Sequence, residues 1–187
     1  MKNDFYPSND KVLSVHLLLK DLNKWIPPYK KNGQVVWMSK VEYINNMNNW
    51  RSGFEFFCNI KVRFGETDMF GHLNNANAFV YFEEARVEFF KHIGLGKEWI
   101  HHEKIGNVVA NIQCDYIRQV YFDEKLKVYV KVHRIGRSSF DLHYMVLNEE
   151  EDISLTGKNT VVQMNKITGE SVPLSDEIKS VLAPFQR

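Results

Sequence analysis

The residues best suited to chemistry lie in one segment, Arg63 to Arg86, with the sequence RFGETDMFGHLNNANAFVYFEEAR. Within it, Asp68 falls in a glycine-flanked loop that precedes a predicted helix. The first turn of a helix has unpaired backbone N–H groups and a partial positive charge, so it can hold an oxyanion. A carboxylate beside it could attack a carbonyl carbon, or deprotonate a water that attacks, while the N–H groups stabilise the developing negative charge. The alternative is structural, because aspartate is also favoured as the cap of a helix or a turn.

The other polar residues of this loop also have two interpretations. His72 could act in the site or could hold backbone groups of the loop. Asn74, Asn75 and Asn77 are good N-cap residues, so their side chains could be structural even where a backbone N–H is catalytic. From residue types alone, the loop therefore predicts a site in which the division of roles stays open.

Two predicted elements must position this loop. Before it, the run FEFFCNIKVRF, from Phe54 up to Gly65, is rich in aromatic and β-branched residues and predicts a strand. After it, Asn77 to Ile93 predicts a helix, because apolar side chains recur at spacings of four, three, four and four. This stripe consists of Ala78, Phe82, Ala85, Phe89 and Ile93. Gly94 then supplies a C-terminal cap.

Four further runs of strand character follow the helix. They are Asn107 to Phe122, Lys125 to Ile135, Ser138 to Leu147 and Leu155 to Asn165. The segments FDEK, IGRS and NEEED between them are typical of hairpin connections. The order therefore predicts an α+β fold with one strand, one long helix and then an antiparallel meander, whose face must bury the helical stripe.

The first fifty or so residues differ from the rest. An apolar-periodic stretch from Lys11 to Ile26 predicts a helix that Pro27 and Pro28 stop. A second helical pattern, Lys40 to Trp50, is rich in asparagine and ends at Ser52 and Gly53. We therefore predict that residues 1–52 form an N-terminal helical extension of open role, and that residues 53–187 form the main domain.

Composition limits the classes of function. The chain has 187 residues, 44% hydrophobic and 25% charged, which suits a soluble globular protein of one ordinary domain, or of a small domain with a short appendage. Its net charge of +1 provides no overall basic excess for nucleic acid, and two isolated cysteines do not form a paired zinc or redox motif. Since the N-terminus has no continuous apolar stretch, we expect a cytoplasmic protein without a membrane segment.

The segment from Arg63 to Arg86 resembles the signature of the 4-hydroxybenzoyl-CoA thioesterase family. That family has the hotdog fold, in which a curved antiparallel β-sheet wraps around one long central α-helix. The resemblance places the family's aspartate on Asp68 and its oxyanion-hole N–H on or next to Asn75. It extends more weakly to TGESVPLSDEI and so covers the chain after Phe54.

A second similarity concerns the substrate side. DMFGHLNN is similar to the aspartate-x-x-x-histidine-x-asparagine-asparagine motif of long-chain acyl-CoA and plant acyl-carrier-protein thioesterases, which implies that His72 and Asn75 act beside Asp68. The chain departs from the plant pattern at Phe70, where those enzymes have a functional asparagine. Asn75 replaces the histidine of another bacterial branch, so the catalytic set stays open.

The resemblance also implies contacts with coenzyme A. GRSSF, from Gly136 to Phe140, is similar to the basic, serine-containing turn that contacts the coenzyme A phosphates in the family. Arg134, Arg137 and Ser138 become candidate substrate-binding residues, although an arginine in a hairpin can equally be a surface charge.

The function that the resemblance implies is hydrolysis of an acyl-CoA to a free acid and coenzyme A. Asp68 would be nucleophile or general base, Asn75 would supply an oxyanion N–H, and His72 would orient Asp68 or the water. The resemblance implies no organic cofactor and no metal site, and it implies a homodimer or homotetramer that binds substrate between subunits. Two rivals are a non-catalytic acyl-CoA-sensing regulator, with a DNA-binding N-terminus, and a dehydratase of the same fold.

Overall fold

The computed structural model describes residues 29–31, 34–36, 41–96, 99 and 102–187, which fall in two compact units, 1–40 and 41–187. In the first unit, strands β1 (Tyr29–Lys31) and β2 (Gln34–Val36) pair antiparallel. The predicted helix from Lys11 to Ile26 lies outside the described residues and stays a prediction. Residues 29–31 and 34–36 of the predicted helical extension, by contrast, form strands and not helix.

The second unit is built on a five-stranded antiparallel sheet. Its strands are β3 (Phe56–Lys61), β4 (Ile105–Tyr116), β5 (Lys125–Ile135), β6 (Ser139–Leu147) and β7 (Ile153–Asn165). They lie in the order β3-β5-β6-β7-β4. The two hairpins that join β5, β6 and β7 are confirmed, as are the bounds of β5.

The predicted meander is wrong at β4. This strand pairs with β7 at one edge of the sheet, because β3 occupies the place beside β5 that a meander would give to β4. The chain returns across the sheet end through residues 117–124, where Val62 N–H donates to Glu124 O and Leu73 N–H donates to Val120 O. The FDEK segment is therefore the end of a crossover and not a hairpin.

One face of the sheet is covered by α2 (Asn75–His92). Four residues of the predicted stripe, Ala78, Phe82, Ala85 and Phe89, are fully buried there, and Ile93 packs at the margin. The Phe82 ring stacks on Tyr144 of β6 with centroids 4.5 Å apart. After Ile93, Gly94 adopts a φ of +83°, the left-handed conformation expected of a C-terminal glycine.

The other face of the sheet is covered by α1 (Met47–Ser52), whose N-cap is Asn46. A second apolar cluster forms here from Val41, Ile44, Trp50, Met145 and Leu147. The helix is shorter than the predicted Lys40–Trp50 and begins only at Met47. Residues 41–52, which were predicted to belong to the N-terminal extension, pack in the same compact unit as the sheet.

The chain ends with α3 (Asp176–Leu182) and a short 3-10 turn, Ala183–Phe185. Leu182 is fully buried against the main core. Within the described ranges, no helix combines the length and the apolar character that a membrane crossing requires.

Candidate active site

The loop around Asp68 is held by the aspartate itself. Its carboxylate Oδ1 accepts hydrogen bonds from Phe70 N–H at 2.8 Å and His72 N–H at 3.1 Å, while its own N–H donates to His72 O at 2.8 Å. Gly71, with a φ of +77°, makes the turn between them. The structural role of Asp68 as a turn cap is thus present. Its second oxygen, Oδ2, has no hydrogen-bond partner among the described residues, so half of a partly exposed carboxylate remains available.

The first turn of α2 contains an equally available donor. Asn74 is the N-cap, and its side-chain oxygen accepts from Ala76 N–H at 3.0 Å. Asn75 is the first helical residue, and its backbone N–H has no acceptor in the part of the chain that the structure describes. A helix N-terminus leaves such groups free and adds a partial positive charge. The N–H of Asn75 can therefore receive an oxyanion.

A second carboxylate, Glu66, fixes the loop to the helix. Its side chain accepts hydrogen bonds from Arg63 N–H at 2.8 Å and from the Tyr81 hydroxyl at 2.7 Å. Its backbone carbonyl accepts from Asn74 N–H and from the Asn77 side-chain amide, both at 2.8 Å. Burial, with the bond to Glu66, raises the pKa of Tyr81. Glu66 thus sets the position of the α2 N-terminus relative to Asp68.

Glu66 and Tyr81 were not predicted as site residues, although the sequence holds one signal for Tyr81. Tyr81 lies three residues after Ala78 on the buried side of the helix, and a buried tyrosine hydroxyl usually finds a partner. Nothing in the sequence singled out Glu66, since its partner is 15 residues away.

His72 contacts aromatic rings and not the Asp68 carboxylate. Its ring is edge-on to Tyr121 with centroids 5.1 Å apart, and it stacks loosely on Phe70 at 6.3 Å. Only its backbone N–H bonds Asp68, and within the described residues its imidazole makes no hydrogen bond. From β4, the Tyr116 hydroxyl donates to Asn75 O at 2.8 Å, so the edge strand also holds the start of α2.

Arg134, Arg137 and Ser138 lie at the opposite end of the sheet. β5 starts at Lys125, which pairs with Lys61 on the Asp68 side, and its 11 residues end at the β5–β6 hairpin. At about 3.3 Å per residue the strand spans roughly 33 Å. Both arginines are exposed, and Arg134 lies opposite Asp141 in the strand register. A single chain therefore brings Asp68, His72 and Asn75 together but not the proposed phosphate contacts.

Comparisons with known proteins agree on a family. The sequence model of the thioesterase-like superfamily matches residues 62–182. An uncharacterised protein of Bacillus subtilis, YsmA, is 44% identical over 133 residues, which cover 71% of this chain and 88% of YsmA. A putative esterase of Aquifex aeolicus is 32% identical, covering 68% and 97%. A thioesterase of Thermus thermophilus, solved with coenzyme A and zinc, is 28% identical with a TM-score of 0.62, covering 72% and 96%. The chain belongs to the thioesterase-like superfamily.

Proposed function

We propose that this protein hydrolyses acyl-CoA thioesters to a free acid and coenzyme A. The observation that carries the proposal is the Asp68 loop, where two backbone N–H groups hold one carboxylate oxygen and leave the other free, just before the open N-terminus of α2. Membership of the thioesterase-like superfamily supports the same reaction.

In the proposed reaction, Asp68 Oδ2 either attacks the thioester carbonyl or takes the proton of a water that attacks it. The carbonyl oxygen becomes negatively charged and is stabilised by the Asn75 N–H. When the tetrahedral intermediate collapses, the carbon–sulfur bond breaks and the coenzyme A thiolate leaves. If Asp68 attacked directly, water then hydrolyses the acyl-aspartate. Because Oδ1 is already held, the carboxylate does not need to reorganise during the reaction.

The coenzyme A phosphates would bind to Arg134, Arg137 and Ser138 of a second copy of the chain. β4 is an edge strand, and Val108 and Val109 on it are exposed. Pairing two copies of β4 antiparallel about a twofold axis places the Asp68 end of one sheet beside the hairpin end of its partner. The proposed homodimer would thus join the two sets of residues that one chain keeps apart. A sheet that curves around α2, as in the hotdog fold, belongs to the same proposal.

The test is thiol release from a panel of aliphatic and aromatic acyl-CoAs, comparing the wild type with Asp68→Asn. The asparagine keeps an acceptor oxygen for Phe70 and His72, so the loop is expected to keep its conformation while the charge is lost. We expect kcat/KM to fall by about 10²- to 10⁴-fold. Asp176→Asn, at the exposed start of α3, is the matched control and should keep full activity.

Turnover that survives Asp68→Asn would contradict the mechanism. A wild type that binds acyl-CoAs but hydrolyses none of them would contradict the enzyme itself and favour the acyl-CoA-sensing regulator. The DNA-binding segment of such a regulator would fall within residues 1–40.

A further inference from the structure

A cavity of about 360 Å³ lies between α2 and the edge strand β4, away from Asp68. Its walls are mainly apolar, with side chains that include Val87, Phe90, Trp99, Val109, Val161 and Met164. Three polar residues also line it, Arg86 of α2, Asn107 of β4 and Lys166. Lys166 is exposed and its Nζ already donates to His102 O at 2.7 Å, so the buried polar groups of the cavity are those of Arg86 and Asn107. A mostly apolar pocket with a few converging polar groups is the usual form of a small-molecule site.

Arg86 is a buried cation whose one ion pair among the described residues is with an exposed glutamate. The residue is only 9% exposed, and its Nη1 has no hydrogen-bond partner in the described part of the chain. Its Nη2 lies 3.8 Å from Glu83 Oε2, but the Glu83 side chain is 71% exposed, so water screens this pair. The guanidinium of Arg86 lies near the Tyr144 hydroxyl. Burial raises the pKa of Tyr144 to about 12, and the adjacent Arg86 opposes that shift. These contacts leave one guanidinium nitrogen unused.

Asn107 adds two further unpaired atoms at the same place. Neither its Nδ2 nor its Oδ1 has a partner among the described residues, and the Oε1 of Gln163, directly opposite it in the β4–β7 register, has none either. Buried polar side-chain atoms are nearly always paired, so the unpaired atoms of Arg86 and Asn107 on the cavity wall call for a ligand group or for water. The unpaired donors on the cavity wall, Arg86 Nη1 and Asn107 Nδ2, match an acceptor oxygen.

The cavity is aligned with the candidate active site. Arg86 lies 11 residues after Asn75, which on a helix is three turns along the same face and about 16 Å away. β4 runs beside α2 over this distance. At one end of β4, Tyr116 contacts Asn75, and at the other end Asn107 and Val109 line the cavity. The distance is close to that of an extended acyl chain of a dozen or so carbons.

We propose that the acyl chain of the substrate lies along α2 and β4, and that Arg86 and Asn107 bind a hydroxyl or carboxyl oxygen at its far end. This inference rests on the proposed hydrolase. The substrate class is then an acyl-CoA with an oxygen at the far end of its chain. The preference should fall from a terminal carboxylate to a hydroxyl to a plain methyl, because a guanidinium pairs best with a carboxylate.

The experiment compares dodecanoyl-CoA, its ω-hydroxy derivative and the dodecanedioyl monothioester, with Arg86→Met and Asn107→Val beside the wild type. We expect the wild type to have a kcat/KM at least about tenfold higher for the dodecanedioyl thioester than for the plain one, mostly through KM. Each variant should reduce this ratio towards one. Lys91→Met, which removes an exposed cation from the same helix, should preserve it.

A stability measurement separates recognition from a structural role. Asn107→Val removes two buried atoms that have no partner, so its melting temperature without ligand should be at least that of the wild type. The Asn107→Val variant also keeps the test decisive if Arg86→Met does not fold. A lower melting temperature for Asn107→Val, or an equal loss of kcat/KM on all three thioesters in the variants, would overturn the inference in favour of a structural role. A wild type without preference for the oxygenated chains would overturn it as well.

Failure of the hydrolase and failure of this inference give different results. If the wild type cleaves none of the thioesters, calorimetric titration with dodecanoic, ω-hydroxydodecanoic and dodecanedioic acids decides the point. Selective binding of the oxygenated acids that Arg86→Met abolishes would support the cavity assignment without the hydrolase. Equal or absent binding of all three would overturn it.

Discussion

The loop at Asp68 and the cluster around His143, on the sheet face covered by α1, use their polar groups in opposite ways. In the His143 cluster, formed by Trp50, Lys131 and His143, the polar groups bond one another. Trp50 Nε1–H donates to His143 Nδ1 at 2.9 Å, and Lys131 Nζ donates to Trp50 O at 2.7 Å. In the Asp68 loop, the Asp68 Oδ2 atom and the Asn75 N–H have no partner within the described residues.

The difference shows why perturbed ionisation does not by itself identify a reactive site. Burial lowers the pKa of His143 to about 3, and burial lowers the pKa of Lys131 to about 8. Such shifts often indicate catalytic groups, but both side chains are nearly inaccessible. His143 is bonded to the indole of Trp50, and Lys131 is bonded to the backbone of α1. The cluster attaches residues 41–53 to the sheet. The partly exposed loop with unpaired groups is the better place for a ligand.

The largest expected effect on stability tests the structural role of the cluster. Trp50→Ala removes a buried ring that contacts Phe54 and lies under the Lys131 ammonium, so the free energy of unfolding should fall by about 3–5 kcal/mol. Urea denaturation measures the loss. Thiol release per folded molecule should stay unchanged, because Trp50 packs on the face opposite α2. Trp50→Phe keeps an aromatic ring but removes the N–H donor and part of the indole, so it should cost less than Trp50→Ala.

The second prediction concerns the stability of the protein at low pH. Since the folded pKa of His143 is about 3 against 6.5 for the free side chain, the unfolded chain binds a proton that the folded chain rejects between these values. The contribution of neutral His143 to the free energy of unfolding is fully present above pH 6.5. It declines as the pH falls towards 3, by up to about 1.4 kcal/mol per pH unit.

Urea denaturation of His143→Asn across this range checks the pH prediction, because asparagine keeps an acceptor near the Nδ1 position while it cannot titrate. Its stability should depend less on pH than that of the wild type. His92→Asn, at an exposed position on α2, is the control and should follow the wild type. Identical pH profiles for His143→Asn and the wild type would assign the acid sensitivity to other groups.

The smallest expected effect sharpens the description of the Asp68 loop. Tyr81→Phe removes the hydroxyl that donates to Glu66, so the free energy of unfolding should fall by about 1–2 kcal/mol. If Glu66 positions the α2 N-terminus for catalysis, kcat should fall while KM changes little, because the oxyanion donor shifts but the binding residues do not. An unchanged kcat would limit Glu66 to a structural role.

The main helix and the strands β5 to β7 were predictable to within a few residues, whereas the strand order and the start of α1 were not. The stripe from Ala78 to Phe89 and the bounds of β5 follow from periodicity and residue type over short windows. The position of β4 depends on whether β3 or β4 pairs with β5, and both strands offer suitable residues. Likewise, three asparagines were equal N-cap candidates, and only the start of the helix selected Asn74.

The sequence by itself determined the α+β class, the main helix, most strands and the loop that places Asp68 before a helix N-terminus. Each of these depends on residues that are near one another in the chain, where spacing and turn chemistry suffice. Only the tertiary structure decided the strand order, the Glu66–Tyr81 contact, the His143 cluster and the cavity at Arg86. These depend on side chains from distant segments, and burial decides which of their polar groups find partners and which stay free for a ligand.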